Sequence, residues 1–358
     1  MPATRLATNE TISYSSARPH LKGGRRKAAV DTALILRKLS VLRERPSRVV
    51  DVLREPRRMT VGPLTANRLG LQLFRVLKDR ALWHTRSFEL TTPEAREAYE
   101  TIERDGIVVI PDFLSDADHA LVQEEYAASR KDPAEGTAYF GPNFGAKELY
   151  TSDHPERYPH TNRLLRDNKL ILEVAAAVPR RQQTYRPATH FFTVEKGNPD
   201  EAHVDLDGAQ FVHPDRHYPF VKAFYYINDV DETNSPYCYA PGSHKIDLRR
   251  LVFEYVHSVT WSKGGRDPFH NVRTEEGIEQ EKELRDLCEK YLADRGYPCK
   301  PIMAKANTLV LSNNCGFHRR GEYIGPRPRQ TVQMDYKYFE SRPTQWMYPV
   351  LKRLYAHP

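Results

Sequence analysis

Alternation of apolar and polar residues is clearest near the C-terminal end, where Thr331 to Tyr338 predicts a strand with one face inward. Shorter runs of the same kind follow Pro187: Thr189 to Val194, the stretch around His203, Val221 to Ile227, Lys300 to Met303 and Thr308 to Ser312. Few helices intervene, so these strands predict an antiparallel sandwich or barrel. Helical spacing covers Ile246 to Val259 and Glu275 to Ala293, a helical insertion at about 245–298.

Upstream, Thr92 predicts a helix N-cap with Pro93 at the first helical position and Glu94 in the first turn. That helix should end at Gly106. Ile107-Val-Val-Ile110 then reads as a short buried strand, and Ser115-Asp-Ala-Asp118 starts a helix that turns Leu121, Val122 and Tyr126 inward. The Gly, Pro, Asn and aromatic residues of 133–160 predict a loop long enough for a rim or lid, followed by a helix from Asn162 to Val178. Before residue 90 the apolar spacing predicts basic helices over Val30 to Leu42, Ser47 to Leu53 and Leu64 to Trp83. The expected organisation is a disordered basic tail at 1–28, a basic helical extension at 29–90, a main domain at 91–345 and a C-terminal tail at 346–358.

Charge sharpens the division. Residues 1–89 carry 19 Lys/Arg against 7 Asp/Glu, and the remainder carries 35 against 40. The basic helices are read as a flank packed on the main domain, with peripheral membrane or protein contact as the alternative. No nucleic acid is expected, because no recognition motif accompanies the charge. The Arg-rich, Ser/Thr-rich start is also compatible with a transit peptide. No apolar run approaches the roughly 18 residues of a membrane span, and the cytoplasm is the default compartment. Cys238, Cys288, Cys299 and Cys315 lack the spacing of a disulfide framework or a zinc ribbon. Cys315 precedes His318 by three residues, but a small buried residue is the plainer reading.

Candidate chemistry lies in the strand-rich half. His203 and Asp205, two apart on an extended segment, point the same way and offer an imidazole and a carboxylate to one metal ion. By itself the pair is weak. His213 and His217 are four apart but lie among Pro214 and Pro219, which speaks against a helical ligand pair. Downstream come Pro241-Gly-Ser-His244, then His318, then Arg329 at the start of the last alternating strand.

With the Gly106 to Leu114 lead-in, these features make residues 95–340 resemble the phytanoyl-CoA dioxygenase family of non-haem iron, 2-oxoglutarate-dependent oxygenases. The resemblance implies a mainly β fold with flanking helices: a double-stranded β-helix, or cupin-like jelly roll, with a helical N-terminal extension. It implies Fe(II) held by His203, Asp205 and His318, with 2-oxoglutarate and O2 as cosubstrates. Arg329 would pair with the distal carboxylate of 2-oxoglutarate, Thr331 would donate to the same group, and Phe224 would lie against it. Arg327, ahead of Pro328, competes with Arg329 from a turn. Asp207 is a rival to Asp205, and His244 is expected to be structural. Relatives that halogenate lack the carboxylate ligand, so Asp205 favours hydroxylation of a small polar metabolite; desaturation, cyclisation or epimerisation begin from the same hydrogen abstraction. Arg319, Arg320 and Asn314 are the candidate substrate contacts. A non-catalytic jelly-roll binding protein is the reading from another class, and the oligomeric state is left open.

Overall fold

The computed structural model describes residues 64–84, 87–132, 136–140, 144–180, 187–197, 208–263 and 275–336, all within one compact unit, Pro46–Pro358. The predicted tail at 1–28, the helices before residue 64, the strand around His203 and the tail at 346–358 lie outside these residues. No described helix is long and apolar enough to cross a membrane.

The chain enters through α1 (Leu64–Arg68) and α2 (Leu71–His84). Gly70 between them takes φ +92°, so the single predicted helix is two. Next come α3 (Pro93–Asp105), α4 (Asp116–Ser129) and α5 (Lys169–Ala177), while α6 (Leu248–Lys263) and α7 (Glu275–Arg295) form the insertion. Thr92 caps α3 by accepting from the Ala95 N–H, and Ser115 caps α4 by accepting from that of Asp118. The predicted helix over 162–178 is interrupted: a π-helical turn, Asn162–Arg166, ends at Asp167, and Asn168 caps α5 from Lys169 onward.

Ten strands are described: β1 (Ile107–Ile110), β2 (Gly136–Phe140), β3 (Phe144–Tyr150), β4 (Ala188–Lys196), β5 (Val221–Tyr226), β6 (Tyr237–Tyr239), β7 (Lys300–Pro301), β8 (Thr308–Asn313), β9 (His318–Arg320) and β10 (Arg329–Tyr336). Seven form an antiparallel sheet in the order β1-β8-β5-β10-β4-β3-β2, and β7-β6-β9 form a smaller one. The expected mainly β, jelly-roll core with flanking helices is therefore present. Strands β2 and β3 correct the loop expected over 133–160: their glycines suggest loop locally, but β3 pairs along its whole length with β4.

Alternation divides the large sheet's faces. Ala223, Tyr225, Leu309, Leu311, Val332 and Met334 join the helix-covered core with Ile102, Val122 and Val174. Phe224, Tyr226, Val310 and Ile107 face Tyr237 and Tyr239 of the small sheet.

The end of α3 is bolted to this interior. Gly106 has φ +85°, and a Cβ there would stand 2.4 Å from the Tyr239 hydroxyl and 2.5 Å from His244 Nδ1, so only glycine fits. His244 Nε2 donates to the Glu103 carbonyl at 3.1 Å, which gives the Pro-Gly-Ser-His turn the structural role expected of it. Burial lowers the His244 imidazole to about 4 from its usual 6.5. The unfolded chain therefore binds a proton between these values that the folded one does not, and stability should fall as pH drops from 6.5 towards 4. Urea unfolding should show a slope approaching about 1.4 kcal/mol per pH unit from this residue, and His244→Gln should flatten it. An unchanged slope in that variant would reject the assignment.

Candidate metal centre

His213 and His318 face each other across a two-way backbone bridge: the N–H of each donates to the carbonyl of the other at 3.0 Å. Opposed residues in such an antiparallel pair project to one face, and the two ring centroids are 4.7 Å apart. Asp215, two residues beyond His213, turns to the same side, and its N–H donates to the Asn314 carbonyl at 3.1 Å. Its Oδ1 lies 3.6 Å from His213 Nε2 and its Oδ2 3.6 Å from His318 Nε2. One ligand atom from each residue lies within 4.8 Å of the others, close enough to hold one ion.

Hydrogen bonds fix the ligand atoms. His213 Nδ1 lies 2.6 Å from the Phe211 carbonyl and His318 Nδ1 lies 3.1 Å from that of Gly316. A carbonyl can only accept, so each Nδ1 carries the proton and each Nε2 presents its lone pair to the site. Burial holds the His318 imidazole below its usual range and so neutral, as a ligand must be. Burial alone would raise the Asp215 carboxyl, but the Lys222 ammonium, His318 and His213 together outweigh it and hold the group well below the usual range. Asn314 Nδ2 donates to Asp215 Oδ2 at 2.7 Å and Lys222 Nζ does so at 3.3 Å. With Oδ2 occupied, Oδ1 is the free oxygen. Two neutral imidazoles and one single-oxygen carboxylate suit Fe(II) and leave positions open for other ligands. Ser312 Oγ donates to Asn314 Oδ1 at 2.8 Å and fixes the amide in turn.

Phe224 and Tyr237, whose ring centroids are 4.6 Å apart, form an aromatic wall in this interior, and Arg329 stands at the start of β10. Its side chain is buried and donates to the Ser235 carbonyl, yet Nε has no partner and no carboxylate pairs with it among the described residues. Burial lowers its pKa, with only the phenol of Tyr226 and the thiol of Cys238 to offset it. The Tyr226 hydroxyl is also buried, and its proton has no acceptor among the described residues. A buried cation ordinarily has an anion, so the guanidinium and this hydroxyl form a fitting cradle for a carboxylate ligand.

The phytanoyl-CoA dioxygenase (PhyH) family model matches residues 102–282, more than half of the chain. The chain belongs to the phytanoyl-CoA dioxygenase family. The resemblance read from the sequence is thereby established, and with it an oxygenase of the Fe(II)- and 2-oxoglutarate-dependent kind. No curated protein sequence matches the chain. Among solved structures it is similar to the non-haem α-ketoglutarate-dependent carbocyclase SnoK from nogalamycin biosynthesis, at 15% identity over 71% of this chain and 90% of that one, TM-score 0.44. It is similar also to iron-bound EctD from S. alaskensis, at 16% identity over 70% and 79%, TM-score 0.43. A third is HygX from Streptomyces hygroscopicus with nickel, 2-oxoglutarate and hygromycin B, at 17% identity over 67% and 86%, TM-score 0.37.

Within this family member the predicted site residues fall in different places. His318 is in the centre, whereas His203, Asp205 and Asp207 lie outside the described residues. Among the described residues, the His-x-Asp pair that meets His318 is His213-Pro214-Asp215. Asn314 is adjacent and holds Asp215. Thr331 donates its hydroxyl proton to the Phe192 carbonyl at 2.9 Å, so that proton is already committed. Arg320 shares the His318 face of β9 and lies 4.1 Å over the Phe144 ring. Arg319 is on the other face, opposite Cys238 and bonded to the Cys299 thiol. Arg327 is exposed and pairs with Asp231. The Cys315 thiol donates to the His244 carbonyl and is pushed up to about 11 by burial, which fits a small buried residue and not a thiolate ligand.

Proposed function

We propose that the protein hydroxylates an unactivated C–H bond of a small polar metabolite, with Fe(II) held by His213, Asp215 and His318 and the distal carboxylate of 2-oxoglutarate held by Arg329 and Tyr226. The observation that carries this reading is the meeting of one ligand atom each from His213, Asp215 and His318 within 4.8 Å, with both Nδ1 atoms engaged by backbone carbonyls. When bound, the metal and cosubstrate supply the oxidation: 2-oxoglutarate, O2 and substrate become succinate, carbon dioxide and hydroxylated substrate. The chain's own residues bind, orient and exclude water. Asn314 and Lys222 hold one oxygen of Asp215, and Phe224, Tyr237 and Tyr239 wall the interior with apolar rings. Burial with no carboxylate beside it among the described residues suits Arg329 to a carboxylate ligand.

Polarity of the substrate is supported by the interior face of the large sheet beyond the metal. There Lys222 and Asp335 lie opposite each other across β5 and β10, Gln333 lies opposite His190, and His190 opposite Tyr150. Such a wall offers both donors and acceptors. A carboxylate ligand at position 215, as at 205, leaves no vacancy of the halogenating type and favours oxygen transfer.

The test is turnover by the purified full chain with Fe(II), ascorbate and 2-oxoglutarate against a panel of small polar metabolites. Substrate-dependent succinate with a product heavier by one oxygen is the expected result. A product of unchanged mass, or one lacking two hydrogens, would reject hydroxylation in favour of epimerisation or ring closure. A chain that binds neither Fe(II) nor 2-oxoglutarate would reject the whole reading.

A further inference from the structure

One face of α2 is polar where a packed helix is ordinarily apolar. Gln72, Arg75, Val76 and Asp79 follow the three- and four-residue spacing of a buried stripe, and all four are under 7% exposed. Buried polar groups at such positions ordinarily have specific partners. Two of these partners lead to the two arms of the metal centre.

Asp79 Oδ2 lies 3.0 Å from His217 Nε2, both side chains being almost wholly buried. His217 is two residues beyond Asp215, so this contact anchors the segment that carries His213 and Asp215. The second connection starts at Gln72, whose Nε2 donates to Glu254 Oε2 at 2.9 Å. Glu254 Oε1 accepts from Arg250 Nε at 3.0 Å. The fully buried Arg250 then donates to the Ser243 and Cys315 carbonyls, each at 2.7 Å. Ser243 Oγ accepts from the Phe317 N–H at 2.8 Å, immediately before His318. Gln72 and Asp79 are two helical turns apart on one face, so one rigid helix holds both arms.

We propose that α2 is a positioning element of the metal centre: Asp79, through His217, sets the His213–Asp215 arm, and Gln72, through Glu254 and Arg250, sets the turn before His318. The inference rests on His213, Asp215 and His318 being the ligands. It gives the helical extension before the family-matched region a part in the site that its basic charge does not reveal. Neither Asp79 nor Gln72 touches the ion or substrate.

The test is anaerobic Fe(II) titration of the full chain by calorimetry. Asp79→Ala should weaken binding by up to about 10-fold, the low end of what losing a direct partner of a metal ligand costs, because Asp79 acts one residue further out, through His217. Asp79→Asn keeps an acceptor for His217 and should restore most of the affinity. Asn67→Ala is the control for packing alone. Asn67 is buried on α1 and donates to Ser262 Oγ at 2.6 Å and the Ser258 carbonyl at 3.4 Å, at the end of α6 beyond Glu254, and makes no described hydrogen bond to Glu254, Arg250 or the ligands, so its loss should leave Fe(II) affinity unchanged. Should Asp79→Ala fail to fold, Gln72→Ala carries the same test through the other arm. Wild-type affinity in Asp79→Ala, or an equal loss in Asn67→Ala, overturns the inference while His213→Ala still loses the metal. Retained Fe(II) in His213→Ala overturns the ligand assignment, and this inference with it.

Discussion

His213→Ala is expected to lose Fe(II) binding and 2-oxoglutarate turnover together, whereas His203→Ala should keep both. Removing a direct ligand costs more than losing an outer partner, so affinity should fall by well over about 100-fold. The chain should still fold, because His213 is tied to His318 by backbone groups that alanine retains. Unchanged far-UV circular dichroism beside a lost calorimetric signal separates a missing ligand from a missing fold. Asp215→Ala should behave likewise and also leave the Lys222 ammonium without its nearest carboxylate. The opposite pattern, with His203→Ala losing iron and His213→Ala keeping it, would move the ligand pair to His203 and Asp205.

Arg329→Met should have the next largest effect, and in two directions at once. Without the guanidinium, 2-oxoglutarate loses a buried charged partner, and breaking such a pair typically costs about 3–5 kcal/mol, so its apparent affinity should fall more than about 100-fold. The cosubstrate-free protein, however, should become more stable. Arg329 is buried, has no carboxylate beside it among the described residues, and carries its charge against the desolvation that lowers its pKa. Methionine of similar length removes that desolvation cost, leaving the Ser235 carbonyl as the one acceptor to be satisfied otherwise. Chemical denaturation should therefore show a gain of about 1 kcal/mol or more beside the lost cosubstrate binding. A variant less stable than the parent would mean that the guanidinium serves the fold, not a ligand.

The fold was legible where local physics decides it. Thr92, Pro93 and Gly106 mark α3 because capping and left-handed backbone are properties of single residues. The strands after Pro187 follow from alternation, since one face meets helices and the other the small sheet. Strands β2 and β3 were not legible, because their glycines suggest loop and only the edge of β4 makes them strands. In the site, His318 and Arg329 stand out by order and spacing. The pair His213 and Asp215 carries the same His-x-Asp signal as His203 and Asp205, and the four-residue spacing of His213 and His217 has no bearing on it. What selects the later pair is its backbone bridge to His318, 105 residues away, and no local rule contains that. Tyr226 was hidden for a similar reason: an aromatic on an apolar strand reads as core until the guanidinium beside it is seen.

The order of strands also dictates when the catalytic apparatus becomes complete. β10 is the last strand described, yet it lies in the middle of the large sheet, between β5 and β4. A chain emerging from the ribosome can pair β2, β3 and β4 as one group and β1, β5 and β8 as another, and among the described strands only β10 joins them. That strand also brings Arg329. Closing the sheet and placing Arg329 are thus one folding event, so a partly synthesised chain that already holds His213, Asp215 and His318 lacks the residue proposed to anchor 2-oxoglutarate.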